Sequence, residues 1–158
     1  MFLIYMWKLM IKKPNFLTKS VVIGSDHAGY KLKEIIKKAL KYKKLKVSDV
    51  GTKSETISVD YPIYAKKLSK KVNSKNFGIL VCGSGIGMSI ASNRFKNIRS
   101  ALIETVKASK LSRQHNNANV ICLGSRLINK KIALQCVMNF LTTEFEGGRH
   151  SRRVKLLN

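Results

Sequence analysis

Three short segments that could supply reacting groups each follow an apolar run in the sequence. They are Ser-Asp-His at residues 25–27, Cys-Gly-Ser-Gly-Ile-Gly at residues 82–87, and Gly-Ser-Arg at residues 124–126. A thiol and an imidazole can move protons at neutral pH, and converging backbone N–H groups can bind an oxyanion or a phosphate. These residue types could therefore support acid–base or nucleophilic chemistry beside an anion-binding loop.

The glycine loop carries three of the ten glycines of the chain within five residues, at Gly83, Gly85 and Gly87. Glycine permits a positive φ and close approach of the backbone to a ligand. The loop matches neither G-x-G-x-x-G nor a Walker A motif, since no Lys-Ser/Thr follows Gly87. It indicates an oxyanion or phosphate loop, and the alternative is a tight turn that requires small residues.

Single reactive residues each have a structural alternative. Loop N–H groups and the following helix end would favour a Cys82 thiolate, yet free cysteine is most often a small buried hydrophobe. His115 could simply match its charge to the end of a helix, and His27 could cap a turn. For His150, in the basic tail, we expect a surface position.

Charge and cysteine content exclude several classes of site. The net charge is +23 with eight acidic residues, too few and scattered for a paired-carboxylate glycosidase or a multi-carboxylate Mg²⁺ or Ca²⁺ site. Three cysteines, without C-x-x-C or histidine at ligand spacing, argue against a disulfide framework or structural zinc and favour a reducing, cytoplasmic location. Most lysines are expected on solvated helix faces: Lys31, Lys33, Lys37, Lys38, Lys41, Lys66, Lys67, Lys70 and Lys71.

A nucleic-acid-binding protein is the alternative that this charge invites. A protein that recognises the edges of nucleic-acid bases concentrates Arg, Asn and Gln on one helix or strand, and no such cluster is present in the sequence. We expect at most weak, salt-sensitive association with polyanions. The first nineteen residues are expected to be an extension that is flexible or that exists only because translation is assigned to start upstream of Met6 or Met10. Its apolar stretch is too short to span a membrane.

The positions of the apolar residues predict alternating strands and helices. Strands are expected at residues 21–24, 46–50, 77–81, 99–103 and 120–123, with amphipathic helices between them. A last long helix is expected to end near residues 147–148, before a short basic tail that could be helical. This order predicts a single-domain, Rossmann-like three-layer α/β sandwich over residues 20–158, with a five-stranded parallel sheet. Its carboxyl edge should carry the three segments, with His115 on or beside that edge.

Six motifs together resemble the ribose-5-phosphate isomerase B family, within the sugar-phosphate isomerases that include galactose-6-phosphate isomerase subunits. The resemblance extends from about Val21 to Val154. The motifs are Asp26-His27-Ala28-Gly29, Asp60-Tyr61-Pro62, Cys82-Gly83-Ser84-Gly85-Ile86-Gly87, Ser112-Arg113-Gln114-His115-Asn116, Gly124-Ser125-Arg126 and Glu146-Gly147-Gly148-Arg149-His150.

The resemblance implies a role for each matching position. Cys82 would transfer the proton between C2 and C1, His115 would open the furanose ring, and Ser84 would assist near the enediolate. The backbone of Gly83, Gly85, Ile86 and Gly87 would stabilise the oxyanion. Asp26, His27 and Asn116 would bind the sugar, and Arg126, Arg149 and Arg153 would contact the phosphate.

The implied activity is interconversion of D-ribose 5-phosphate and D-ribulose 5-phosphate in the non-oxidative pentose phosphate pathway. The family uses no metal or organic cofactor, and its dimers or tetramers form active sites at subunit interfaces. A six-carbon aldose phosphate, such as allose or galactose 6-phosphate, is the alternative substrate. Some members use a glutamate in the helix after the glycine loop, where this chain has Met88, which indicates the cysteine-dependent branch.

Overall fold

Five strands and six helices alternate along the chain in a computed structural model that describes residues 15–157. Residues 1–14, most of the predicted extension, lie outside the described residues. The strands are β1 (Ser20–Ser25), β2 (Lys46–Asp49), β3 (Phe77–Cys82), β4 (Ser100–Leu102) and β5 (Val120–Gly124). The helices are α1 (Tyr30–Tyr42), α2 (Tyr61–Ser69), α3 (Ile86–Ser92), α4 (Val106–Asn116), α5 (Lys130–Thr142) and α6 (Arg149–Lys155).

All five strands are parallel and form one sheet in the order β2-β1-β3-β5-β4. The chain moves outward from β1 to β2 and then returns across β1 to β3, so the strand order reverses between β1 and β3. Ligands of open parallel sheets bind outside the carboxyl ends of the strands at such a reversal. Asp26 directly follows β1 and Cys82 ends β3, which places both residues at the reversal.

Two apolar cores cover the two faces of the sheet, because successive side chains of a strand point to opposite faces. One core joins α1, α4 and α5 to alternate residues of the three central strands: Val21, Ile23, Ile79, Val81, Ile121 and Leu123. The other joins α2 and α3 to the residues between them: Val22, Leu80, Cys82, Val120 and Cys122. The predicted three-layer α/β sandwich with a five-stranded parallel sheet is confirmed.

Helix ends differ from the predicted ones where local capping decides them. Asn129 caps α5 by accepting a hydrogen bond from the Ile132 N–H at 2.9 Å. The prediction that this helix ends near residues 147–148 was wrong, because α5 ends at Thr142 and its cap, Thr143, is extended. Gly147 and Gly148 instead lie directly before α6, with φ of +68° and +52°.

Lys33 is the exception among the lysines predicted to lie on solvated faces. Its residue is 1% exposed, and its Nζ donates to Asp49 Oδ2 at 2.8 Å and to the Thr52 carbonyl at 2.9 Å. Burial of Asp49 opposes its ionisation, but hydrogen bonds from Lys33, Lys37 and the Gly51 N–H outweigh it and lower the pKa of Asp49. The prediction for Lys33 was wrong because the buried ammonium ties α1 to the end of β2.

The amino-terminal segment joins the domain before β1 begins. The Leu17 N–H donates to the Leu141 carbonyl at 3.0 Å, and Thr18 Oγ1 donates to the Lys75 carbonyl at 2.8 Å. Phe16 packs against the core on the α5 face. Within residues 15–157, every helix is too short or too polar to cross a bilayer.

Candidate active site

The glycine loop turns sharply at the end of β3 and brings a backbone N–H to the Cys82 thiol. Gly85 has φ of +77°, and its N–H donates to Cys82 Sγ at 3.1 Å. A Cβ at Gly85 would lie 2.6 Å from Leu102 Cδ1 and 2.9 Å from the Leu123 carbonyl carbon. This turn therefore requires glycine for both its φ and its space, and it holds the Gly85 N–H within hydrogen-bonding distance of Cys82 Sγ.

The segment after β1 faces this loop across the strand reversal. Asp26 is buried, and its Oδ1 accepts the Gly29 N–H at 2.9 Å. Gly29 packs directly against the backbone at the end of β3, where a Cβ would overlap the Val81 carbonyl. His27 Nδ1 accepts the Val59 N–H at 3.2 Å, which leaves the ring proton on Nε2. His27 thus anchors the loop before α2, whereas Asp26 caps the turn.

Arg126 reaches the loop from the turn after β5. Its N–H donates to the Gly83 carbonyl at 3.0 Å, and a Cβ at Gly83 would lie 3.2 Å from Arg126 Nη1. The guanidinium therefore lies over the glycine loop. A cavity of about 320 Å³ opens between these segments. Seven predicted site residues line it: Asp26, His27, Cys82, Gly83, Ser84, Gly87 and Arg126.

Tyr61 also lines this cavity and was missed as a site residue by the sequence analysis. Its ring lies against Gly87, where a Cβ would be 2.7 Å from Tyr61 Cε2. The motif Asp60-Tyr61-Pro62 was the signal that could have identified it, since Pro62 in the first turn marks the start of α2 at Tyr61.

Only Cys82 among the three cysteines borders the cavity. Burial raises the pKa of Cys122 to about 12 and that of Cys136 to about 11, so both remain thiols at neutral pH. Cys122 lies within β5 and Cys136 within α5, as expected of small apolar residues. Cys82 is thus the thiol available for chemistry.

Four predicted site residues lie elsewhere in the protomer. His115 and Asn116 are the last residues of α4, and Arg149 and Arg153 are exposed on α6. Helix α4 runs back along the sheet and ends before β5 begins, whereas Cys82 is paired with Gly124 at the carboxyl end of β5. The five residues of β5 span about 16 Å. The prediction that His115 lies on or beside the Cys82 edge was wrong.

His115, one of these four residues, packs against His150. The rings of His115 and His150 stack with centroids 4.3 Å apart and planes 9° apart. His150 is 7% exposed, so the expected surface position was wrong. Burial lowers the pKa of His150, and electrostatic interactions with His115 and Arg149 lower it further.

Arg113 holds the end of α4 in place and was also missed as a site-supporting residue. Its guanidinium lies over the Phe77 ring, at 4.7 Å from the centroid, and donates to Asn117 Oδ1 and the Thr143 carbonyl. Burial lowers the pKa of Arg113 to about 10, with a further contribution from Arg99. A larger cavity of about 630 Å³ adjoins Arg113 at the amino edge of the sheet and contains none of the predicted site residues.

These features define a single-domain α/β protein with a thiol pocket at the reversal point of a parallel sheet. The family model described as Ribose/Galactose Isomerase matches residues 21–157. Ribose-5-phosphate isomerase B of Escherichia coli is 39% identical over 141 residues, which cover 88% of this chain and 94% of that protein. The chain belongs to the ribose/galactose isomerase family.

Solved structures agree with this assignment. Ribose 5-phosphate isomerase B of Anaplasma phagocytophilum is 45% identical with a TM-score of 0.89, over 91% of this chain and 99% of that chain. The enzyme of Mycoplasma genitalium with bound ribulose-5-phosphate is 41% identical with a TM-score of 0.85, over 87% and 93%. The resemblance drawn from the six motifs is confirmed.

Proposed function

We propose that this protein interconverts D-ribose 5-phosphate and D-ribulose 5-phosphate. The observation that carries the proposal is the hydrogen bond from the Gly85 N–H to Cys82 Sγ, at the floor of a pocket lined by Arg126. Aldose–ketose isomerisation requires a base beside a carbon acid and donors for the enediolate oxygen. The relatives named for this reaction support the substrate assignment.

The proposed reaction has two stages. His115 opens the furanose ring by passing a proton from the anomeric hydroxyl to the ring oxygen. The Cys82 thiolate then removes the C2 proton, and the electron pair forms an enediolate. Backbone N–H groups of Gly83, Gly85, Ile86 and Gly87, with Ser84, stabilise the negative oxygen, which is O1. The hydroxyl proton of O2 then passes to O1, the Cys82 thiol returns its proton to C1, and O2 becomes the ketone oxygen.

Binding of the substrate would be divided between hydroxyl and phosphate contacts. Asp26, His27 and Asn116 would bind the sugar hydroxyls. Arg126, Arg149 and Arg153 would bind the phosphate, because planar guanidinium groups form paired hydrogen bonds with its oxygens. Three of only seven arginines, in a chain rich in lysine, occupy these positions.

The division of these residues between two distant places supports assembly of the site from two chains. One protomer would supply Cys82, Asp26 and Arg126, and its partner would supply His115, Asn116, Arg149 and Arg153. A symmetric dimer would then contain two complete sites. Its mass in solution tests this assembly, since a monomer retaining full activity would contradict it.

A cytoplasmic location is proposed as well, because Cys82, Cys122 and Cys136 are all unpaired. Fractionation of cells that produce the protein, with detection by a specific antibody, tests this location. Recovery outside the cytoplasm would contradict it.

The decisive assay measures ketose formed from ribose 5-phosphate by the purified protein and by two cysteine variants. Cys82→Ala is expected to lose activity, and Cys136→Ala, which removes a buried thiol in α5, is expected to retain it. An active Cys82→Ala protein would exclude Cys82 as the base. Faster turnover of allose or galactose 6-phosphate would instead make a six-carbon sugar the substrate.

A further inference from the structure

Three potential metal ligands converge where α4 meets the loop before α6. Nε2 of His115 and Nε2 of His150 each lie 3.8 Å from Glu146 Oε2. The ligand atoms of all three residues lie within 4.8 Å of one another. Two imidazoles and a carboxylate form a donor set that binds zinc in proteins, with a fourth position left for water or another ligand.

The structure also holds these groups close together. His150 is buried and stacked on His115, and the His115 side chain, which is 38% exposed, can tilt out of the stack to direct its Nε2 at a shared ion. The Glu146 N–H donates to the Gln114 carbonyl at 3.0 Å, which holds the Glu146 backbone beside the end of α4. The three ligands are therefore brought together by backbone and ring contacts that do not involve an ion.

We propose that His115, Glu146 and His150 form a reversible binding site for Zn²⁺ or a similar transition-metal ion. Tetrahedral zinc with bonds of about 2.1 Å places neighbouring ligand atoms about 3.4 Å apart. The two observed nitrogen–oxygen separations of 3.8 Å must each shorten by about 0.4 Å. The two imidazole nitrogens must approach each other as well, since the ligand atoms are only within 4.8 Å of one another. The side chains of Glu146 and His115 are 49% and 38% exposed and can make these movements, while buried His150 remains in place.

Nearby charges limit the strength of the site. Arg149 and Arg153 lie close enough to His150 to influence its titration, and both carry positive charge that opposes a second cation. Glu146 supplies one negative charge to the metal. We therefore expect zinc to bind more weakly than in structural sites with several thiolates, and to be removed readily by chelators.

Bound zinc would occupy Nε2 of His115 and thereby prevent ring opening, an inference that rests on the proposed function. The metal would act as an inhibitor of the isomerase. Substrate phosphate held by Arg149 and Arg153 would lie close to the same atoms, so ribose 5-phosphate should weaken zinc binding.

Zinc affinity is measured by competition with a chromogenic chelator, using the full chain carrying Cys82→Ser so that the thiol bordering the pocket cannot contribute. Glu146→Gln and His150→Asn remove one ligand each. Loss of an outer-shell partner costs about 10–100-fold in metal affinity, so loss of a ligand should cost about 100-fold or more. The matched control is Glu144→Gln, an exposed carboxylate two residues away that should leave affinity unchanged.

Cobalt gives an independent readout. Co²⁺ bound to imidazole and carboxylate should give visible absorption without thiolate charge transfer, and Glu146→Gln should abolish it. Equal zinc affinities of Glu146→Gln and its Cys82→Ser parent would overturn the proposed site. A thermal melt shows whether His150→Asn still folds. If it does not, the zinc affinity of Glu146→Gln, which is altered at an exposed position, tests the site by itself.

Inhibition is measured separately, with otherwise unmodified protein and each variant compared with its own zinc-free rate. Zinc should inhibit isomerisation less in Glu146→Gln than in the unmodified chain, which would support the site and its consequence together. Variant-sensitive zinc binding without any inhibition would keep the metal site and overturn the ring-opening role of His115. If the protein is an active isomerase and neither variant changes its zinc affinity, the metal site is overturned and the proposed isomerase function stands.

Discussion

Gly85→Ala tests whether the tight turn over Cys82 is required by its surroundings as well as by its φ. An alanine in the left-handed region costs about 1–2 kcal/mol. The added methyl would also meet Leu102 at 2.6 Å and the backbone of Leu123 and Gly124 at 2.9 and 3.0 Å. The β5 backbone cannot move aside, and overpacking of this kind costs about 1–3 kcal/mol. The expected total is about 2–5 kcal/mol.

Gly147→Ala is the matched control, since Gly147 also has a positive φ, +68°, but a Cβ there would meet only Ser151 Oγ at 3.6 Å. It should lose about 1–2 kcal/mol. Denaturant unfolding of both variants against the unmodified protein gives the two free energies. Equal losses would refute the claim that β5 presses against the glycine turn.

Gly85→Ala should also reduce catalysis, because displacement of the turn moves the Gly85 N–H away from Cys82 Sγ, which it contacts at 3.1 Å. A hydrogen bond to a charged group contributes about 1.5–3 kcal/mol, so kcat should fall about tenfold or more. The rate is measured with ribose 5-phosphate under conditions where the variant is fully folded. An unchanged kcat would show that this N–H has no role in the reaction.

Other consequences concern stability. Asp49→Asn should cost about 3 kcal/mol of unfolding free energy because it leaves buried Lys33 without its closest carboxylate. Its control, Glu55→Gln, breaks an exposed ion pair with Lys31 and should cost less than about 1 kcal/mol. Similar unfolding midpoints for the two variants would contradict this expectation. Since the pKa of Asp49 is lowered on folding, its contribution is complete above the unfolded carboxyl pKa of about 3.9 and should disappear as pH falls through the lower folded value. Acid titration of Asp49→Asn should accordingly show a shallower loss of stability than the unmodified chain, and parallel curves would contradict the linkage. Arg113→Lys should cost about 2 kcal/mol, since lysine loses the planar contact with Phe77 and a forked set of hydrogen bonds; an unchanged thermal midpoint would contradict it.

Apolar patterns predicted the layers of this fold because they are local properties of the chain. Val21, Val22 and Ile23 form a short apolar run that is buried on both faces, and Leu32, Ile36 and Leu40 repeat at helical spacing, so each pattern identified its element. The end of α5 was not predictable in this way. Residues 143–148 carry no periodic signal, and the helix end follows from an extended Thr143.

The site was predictable where it follows strands and unpredictable where it depends on packing. Asp26 and Cys82 follow β1 and β3 directly, and parallel strands bring their ends to one edge. His115 was misplaced because the direction of α4 reverses that of the sheet and carries its last residue to the opposite edge. The stacking of His150 on His115 joins residues 35 positions apart and has no local signal.

Complementation between two inactive variants tests the central claim most directly. Cys82→Ala and His115→Ala protomers are co-expressed, and their ketose formation is compared with that of each variant alone. Random pairing makes about half of the dimers mixed, each with one intact site of two, so activity should recover to about 25% of the unmodified enzyme. Activity no greater than that of the separate variants would contradict a site in which Cys82 and His115 come from different chains.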